Sequence, residues 1–138
     1  MSITDDLLHI LVATVAAMIA GYVWYHPMVF GNRWKELMKE YTGMTDEDLK
    51  SEPIRQMPKW FFVTLINVIV VYLIADRLDI QSRLSALKIA LALWAGFGLT
   101  FSSWPVIFAR QRQSLWLINN GAFLLMQAII CFILVMWR

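Results

Sequence analysis

The chain has 138 residues, 59% hydrophobic and 16% charged, against about 45–50% and about 25% in ordinary soluble domains, so lipid is the expected solvent. A net charge of +2, carried by lysines and arginines dispersed between apolar runs, gives no electrostatic argument for a nucleic-acid partner, and none is expected. The single cysteine, Cys131, excludes an intrachain disulfide or a CxxC pair.

One all-α domain is expected, with transmembrane spans at about 7–25, 58–75, 84–108 and 114–137 and an extramembrane stretch at 27–57. Span one rises about 28 Å as a helix, enough for a hydrocarbon core of about 30 Å. Ser2 or Thr4 is placed to cap it, and Asp5 and Asp6 suit the positive end of its dipole. Acids rather than basic residues precede the apolar run, and no small-x-small cleavage site precedes Trp24-Tyr25, so the run reads as a span and not a signal peptide. Ala13, Ala17 and Gly21 recur every fourth residue and offer a face for close helix packing.

Trp24, Tyr25 and Trp34 are amphipathic rings of the kind that collect where headgroups meet hydrocarbon. Pro27 ends the first helix by disfavouring an α conformation at His26 and removing a donor, and Gly31 permits a turn. Beyond it Trp34, Leu37, Met38 and Tyr41 form an apolar stripe, with Lys35, Glu36, Lys39 and Glu40 off that stripe. An amphipathic helix lying in the membrane interface is the favoured reading; the alternative is a soluble helix folded back on the bundle. Gly43 can end it, and Thr45-Asp46-Glu47-Asp48 resembles a capping box opening a short second helix. Those carboxylates lack the alternating ligands and central glycine of a calcium loop, so no metal site is expected.

Span two opens at Pro58, a good first helical residue, and carries Asn67 at depth, where an amide needs a partner on another helix. Span three bears a second small-residue stripe, Ala92, Gly96 and Thr100, which makes spans one and three the expected tightest pair. Pro105 should kink or terminate it. Span four holds Asn119, Asn120 and Gln127; residues 120 and 127 share a face, and Asn119 points about 100° away from Asn120. An up-down bundle follows from so short a chain. Arg33, Lys35, Lys39, Lys50, Arg55, Lys59, Arg110 and Arg112 outnumber Arg77, Arg83, Lys88 and Arg138 on the other side by two to one. The positive-inside rule then places both termini outside the cytoplasm.

The order Gly21, Trp24-Tyr25, Pro27, Phe30-Gly31, Trp34 resembles the signature of the bacterial domain-of-unknown-function family 1761. Trp94-Ala95-Gly96-Phe97 and Leu117-Ile118-Asn119-Asn120-Gly121 look like that family's third and fourth spans. The resemblance implies a small four-span integral protein of a bacterial plasma membrane, and it implies no activity.

Chemistry-bearing residues are few. No acid or base is expected at mid-membrane, which counts against a proton pump. His9 and His26 are roughly 25 Å apart and cannot share a metal or haem, and the eight methionines form no tight Met-x-x-Met set. Ser102 and Ser103 have no His or carboxylate nearby in sequence, and no GxxxxGK occurs. The favoured expectation is a non-enzymatic protein, with no cofactor, that binds membrane lipid or a lipophilic small molecule and self-associates as a homo-oligomer. Gly21, Trp24, Tyr25, Trp34, Asn67, Asn119 and Asn120 are the candidate ligand residues. Two other readings stand beside it: an oligomeric channel or transporter with an amide-lined path, and a membrane enzyme acting on lipid or quinone.

Overall fold

The computed structural model describes residues 3–137, so Ser2 as a cap and Arg138 in the charge balance lie outside the described residues. Within that range the chain is helical and shows no strand. The helices are α1 (Ile3–Trp24), α2 (Asn32–Thr42), α3 (Asp46–Arg77), α4 (Arg83–Leu93), α5 (Thr100–Ser102), α6 (Trp104–Phe108) and α7 (Gln113–Met136). Two π-helical segments interrupt the order: Pro27–Gly31, between α1 and α2, and Trp94–Leu99, between α4 and α5. Four helical stretches are long and apolar enough to cross a membrane.

The helix ends have local causes. His26 is extended (ψ 143°) as expected before proline, and its Nδ1 accepts the Met28 N–H. The expected turn at Gly31 does not occur: its φ is −61°, in the ordinary helical region. Glycine is required there for a different reason, because a Cβ would run into the Tyr25 carbonyl oxygen and lie 2.8 Å from the His26 carbonyl carbon. Gly43 ends α2 in the left-handed conformation (φ 73°), with its N–H on the Lys39 carbonyl. Thr45 forms a reciprocal capping box with Asp48.

That box opens no separate short helix. The turns from Asp46 run unbroken through Pro53 and Pro58 into one helix of 32 residues, so Pro58 is interior and not the first helical residue. At about 1.5 Å per residue it is about 48 Å long, well beyond a hydrocarbon core of about 30 Å. Its charged first turns are the surplus. Span three, by contrast, breaks up: α4 gives way to the π segment, and Pro105 stands in the first turn of α6 after the irregular Ser103.

Packing centres on α7. In its most apolar stretch 50% of residues are buried, against 11% in the third span. α1 packs on α7 and α3, while α3 and α4 pack on α7. The expected tight pairing of spans one and three is therefore overturned: α1 and α4 share no packed face. The physical reason is the orientation of span three. It turns Ala86 and Ala90 into the core and leaves Ala92, Gly96 and Thr100 exposed, with no atom within 4 Å of a Cβ built at Gly96. The small-residue face of α1 behaves as expected, with Ala13, Ala17 and Gly21 buried. α1 and α7 lie side by side along their lengths: His9 stacks on Trp137 at 4.7 Å, and Trp24 meets Ile118 at the far end. A second, smaller apolar cluster joins Leu37 of α2 to Leu115 and Ile118.

Candidate functional site

The end of α1 is tied to α7 by two ring donors. Trp24 Nε1–H donates to the Ile118 carbonyl at 3.0 Å, and the Tyr25 hydroxyl donates to Asn119 Oδ1 at 2.8 Å. Both cross between elements almost at opposite ends of the chain. Trp24 also tilts against Phe30 (4.5 Å), and Tyr25 meets the edge of Trp34 at 5.4 Å, so the π segment and α2 are held to the same rings. The Trp24 ring lies over Gly121, where a Cβ would fall 2.5 Å from it.

Span three reaches the same part of α7 by a parallel device. Trp94 Nε1–H donates to the Asn120 carbonyl at 2.8 Å. The buried Asn120 side chain donates to the Trp116 carbonyl at 2.9 Å and accepts from Ser102 Oγ at 3.0 Å, while Ser102 Oγ accepts from Trp116 Nε1–H at 3.0 Å. Ser102 is thus a link in a hydrogen-bonded chain and Ser103 donates to the Thr100 carbonyl at 2.6 Å. Asn67 is brought to Gln127, not to Asn119 or Asn120, donating to its carbonyl at 3.0 Å. Among the described residues no buried side-chain nitrogen or oxygen lacks a partner.

Beside this network lies a half-open apolar groove of about 510 Å³, between the end of α1, α2 and the first turns of α3. Gly21, Tyr25 and Trp34 line it together with Met38, Met57 and Trp60. Such a volume falls within the range of about 300–1,000 Å³ typical of small-molecule sites. Glycine at 21 keeps the wall close, since a Cβ there would sit 2.8 Å from the Trp60 ring. Of the residues singled out from the sequence, Asn119 holds the wall from behind through its bond to Tyr25, Trp24 and Asn120 do not line the groove, and Asn67 lines a different cavity of about 450 Å³ with Gln127 and Phe97. Met57 and Pro53 escaped the sequence reading because they belong to turns that were expected to precede the helix beginning at Pro58, and Trp60, inside the expected span, was not singled out. Their signal was the apolar spacing of Pro53, Met57 and Trp60, three to four residues apart on one face.

Lys39 pairs with Asp46, and Asp48 accepts the Thr45 backbone N–H at 3.0 Å, a bond that holds its carboxyl below the ordinary aspartate range. At the other end of the bundle Asp6, His9, Asp76 and Asp79 border a wide cavity of about 700 Å³. No group of three or more potential metal ligands converges among the described residues.

The family model described as "Protein of unknown function (DUF1761)" matches residues 8–135, nearly the whole chain. No curated protein and no solved structure matches it.

Proposed function

The chain belongs to the DUF1761 family, and from that premise we propose that it is an integral membrane protein that binds a lipid or lipophilic small molecule without transforming it. The observation that carries this reading is the groove of about 510 Å³ whose walls are aromatic and aliphatic. Apolar walls favour an apolar occupant through the area removed from water or lipid disorder, and the ring hydrogen bonds behind them keep the walls in place.

The proposed setting is a bacterial plasma membrane. The four spans run up and down, α2 lies in the interface, and both termini are outside the cytoplasm. The positive residues of the 27–57 stretch support that orientation. The sidedness of α2 supports an interfacial position: Arg33, Glu36 and Glu40 are exposed, off the stripe that carries the Trp34 and Tyr41 rings. Self-association is proposed through span three, whose exposed Ala92, Gly96 and Thr100 allow close backbone approach by a second copy.

Native mass spectrometry of protein released from nanodiscs of host lipid tests the binding function. A stoichiometric extra mass on a defined oligomer is expected, and Ile54→Trp, placed on the exposed rim of the groove, should remove that mass. An extra mass that survives Ile54→Trp, or none on the wild type, sinks the reading. An amide-lined path is less favoured, because Asn67 and Gln127 bond to each other and Asn120 is enclosed by Trp116 and Ser102.

A further inference from the structure

The groove carries one charge without a partner. On α2, Arg33 pairs with Glu36, Lys39 with Asp46 and Glu40 with Arg112. Lys35 is the one charged side chain of that helix outside any ion pair among the described residues, and it lines the groove half-buried. The acid in the same lining, Glu52, is already engaged: Arg55 lies 3.5 Å from it and the Gln56 amide donates to it at 2.6 Å. The Tyr25 hydroxyl is committed to Asn119, and His26 uses Nδ1 to accept from Met28, which leaves its Nε2 beside the opening.

Charge narrows the occupant. The groove offers one unpaired cation, Lys35, to one anionic head, and one apolar trough bordered by Met38, Met57 and Trp60 to one chain. Resting on the lipophile-binding reading above, we propose that the groove takes a single-chain monoanionic amphiphile, a long-chain carboxylate of fatty-acid type. Its carboxylate pairs with Lys35, and its chain lies along Met38, Met57 and Trp60. An uncharged head gives the Lys35 ammonium at most a neutral acceptor in exchange for water, close to an even trade, whereas a carboxylate adds a charge-assisted hydrogen bond.

Equilibrium binding of palmitate and of hexadecanol to the full-length protein in maltoside micelles separates the two layers of this inference. Measured near pH 8.5, the acid stays ionised despite the desolvation that raises carboxyl pKa values in detergent. Palmitate should bind one per protomer. Lys35→Met should weaken palmitate about tenfold and leave hexadecanol unchanged, Lys35→Arg should retain palmitate, and Ile54→Trp should weaken both. Each variant is first checked to elute and melt as the wild type does. If hexadecanol binds as tightly as palmitate and Lys35→Met alters neither, the carboxylate assignment is overturned and the groove reading stands. If neither probe binds the wild type, or Ile54→Trp changes neither, the groove reading falls and the inference with it.

Discussion

Around Trp24 and Asn120 the helices are joined by a network of directional bonds, whereas around Ala13 and Ile130 they are joined mainly by fit. In the first region three indoles, a phenol, two asparagine amides and a serine hydroxyl connect α1, span three and α7. In the second, Ala13, Ala17, Val68, Val71, Ala90, Ile130 and Leu134 fill the space between helices with side chains as apolar as lipid. Apolar contact barely distinguishes a neighbouring helix from lipid tails, so it rewards close fit but specifies register weakly. The ring donors supply that register. They can bond to a helix backbone only where the pairing places a carbonyl within about 3 Å.

The sharpest way to break this contrast is to add volume where the two devices meet. Gly121→Leu would drive a side chain into the Trp24 ring, and the ring cannot swing away without losing its bond to the Ile118 carbonyl. Overpacking of this kind costs about 1–3 kcal/mol or more. The expected result is loss of a monodisperse species on gel filtration; a Gly121→Leu protein that melts like the wild type would show the rings to be mobile.

Asn120→Leu comes next. It removes the acceptor of Ser102 and the donor to Trp116 while leaving the backbone carbonyl that holds Trp94. A loss of about 1–2 kcal/mol is expected from intramembrane bonds averaging about 0.6 and reaching about 1.7. Reversible unfolding in mixed micelles measures it. Ala90→Ser, in the apolar region, should by the same assay cost less, since a hydroxyl there can return to its own helix carbonyl.

Asn67 and Gln127 provide the smaller test, since their bond stands isolated within the apolar region. A double-mutant cycle with Asn67→Leu and Gln127→Leu should give a coupling of about 0.6 kcal/mol. A coupling indistinguishable from zero would mean that this bond contributes nothing beyond packing.

The smallest effect is expected outside the spans, at the start of α3. The Asp48 carboxyl is held below its ordinary range by the Thr45 N–H and hydroxyl, so its folded-state pKa lies below its unfolded one. The stabilisation is therefore complete above the unfolded value of about 3.9 and is lost as pH falls through the lower folded value. Protection of the amides at the start of α3, relative to the intrinsic exchange rate at each pH, should fall only below about pH 4, and Asp48→Asn should remove that pH dependence. The ring-bonded region should show no such step.

Much of the architecture was legible in the residue pattern. Four apolar runs, the cap at Thr45, the stop at Gly43 and the small face of Ala13, Ala17 and Gly21 follow from hydropathy, capping chemistry and spacing. Each is a property of a few consecutive turns. The start of the helix that carries span two was misplaced because Pro58 is as good in a first turn as it is tolerable inside a helix whose neighbours compensate. The stripe at Ala92, Gly96 and Thr100 misled for a related reason. Spacing tells which residues share a face, but not which way that face turns.

By itself, then, the sequence determined a helical protein with four stretches long and apolar enough to cross a membrane, whose motifs mark where rings and amides gather. Only the tertiary structure decided that α7 is the hub, that the Trp24–Tyr25 pair bonds to Ile118 and Asn119, and that Lys35 stands unpaired beside an apolar groove. Those outcomes depend on which helices become neighbours. In a chain so uniformly apolar, that choice is made by the few polar bonds between distant residues, and their partners cannot be identified from local pattern.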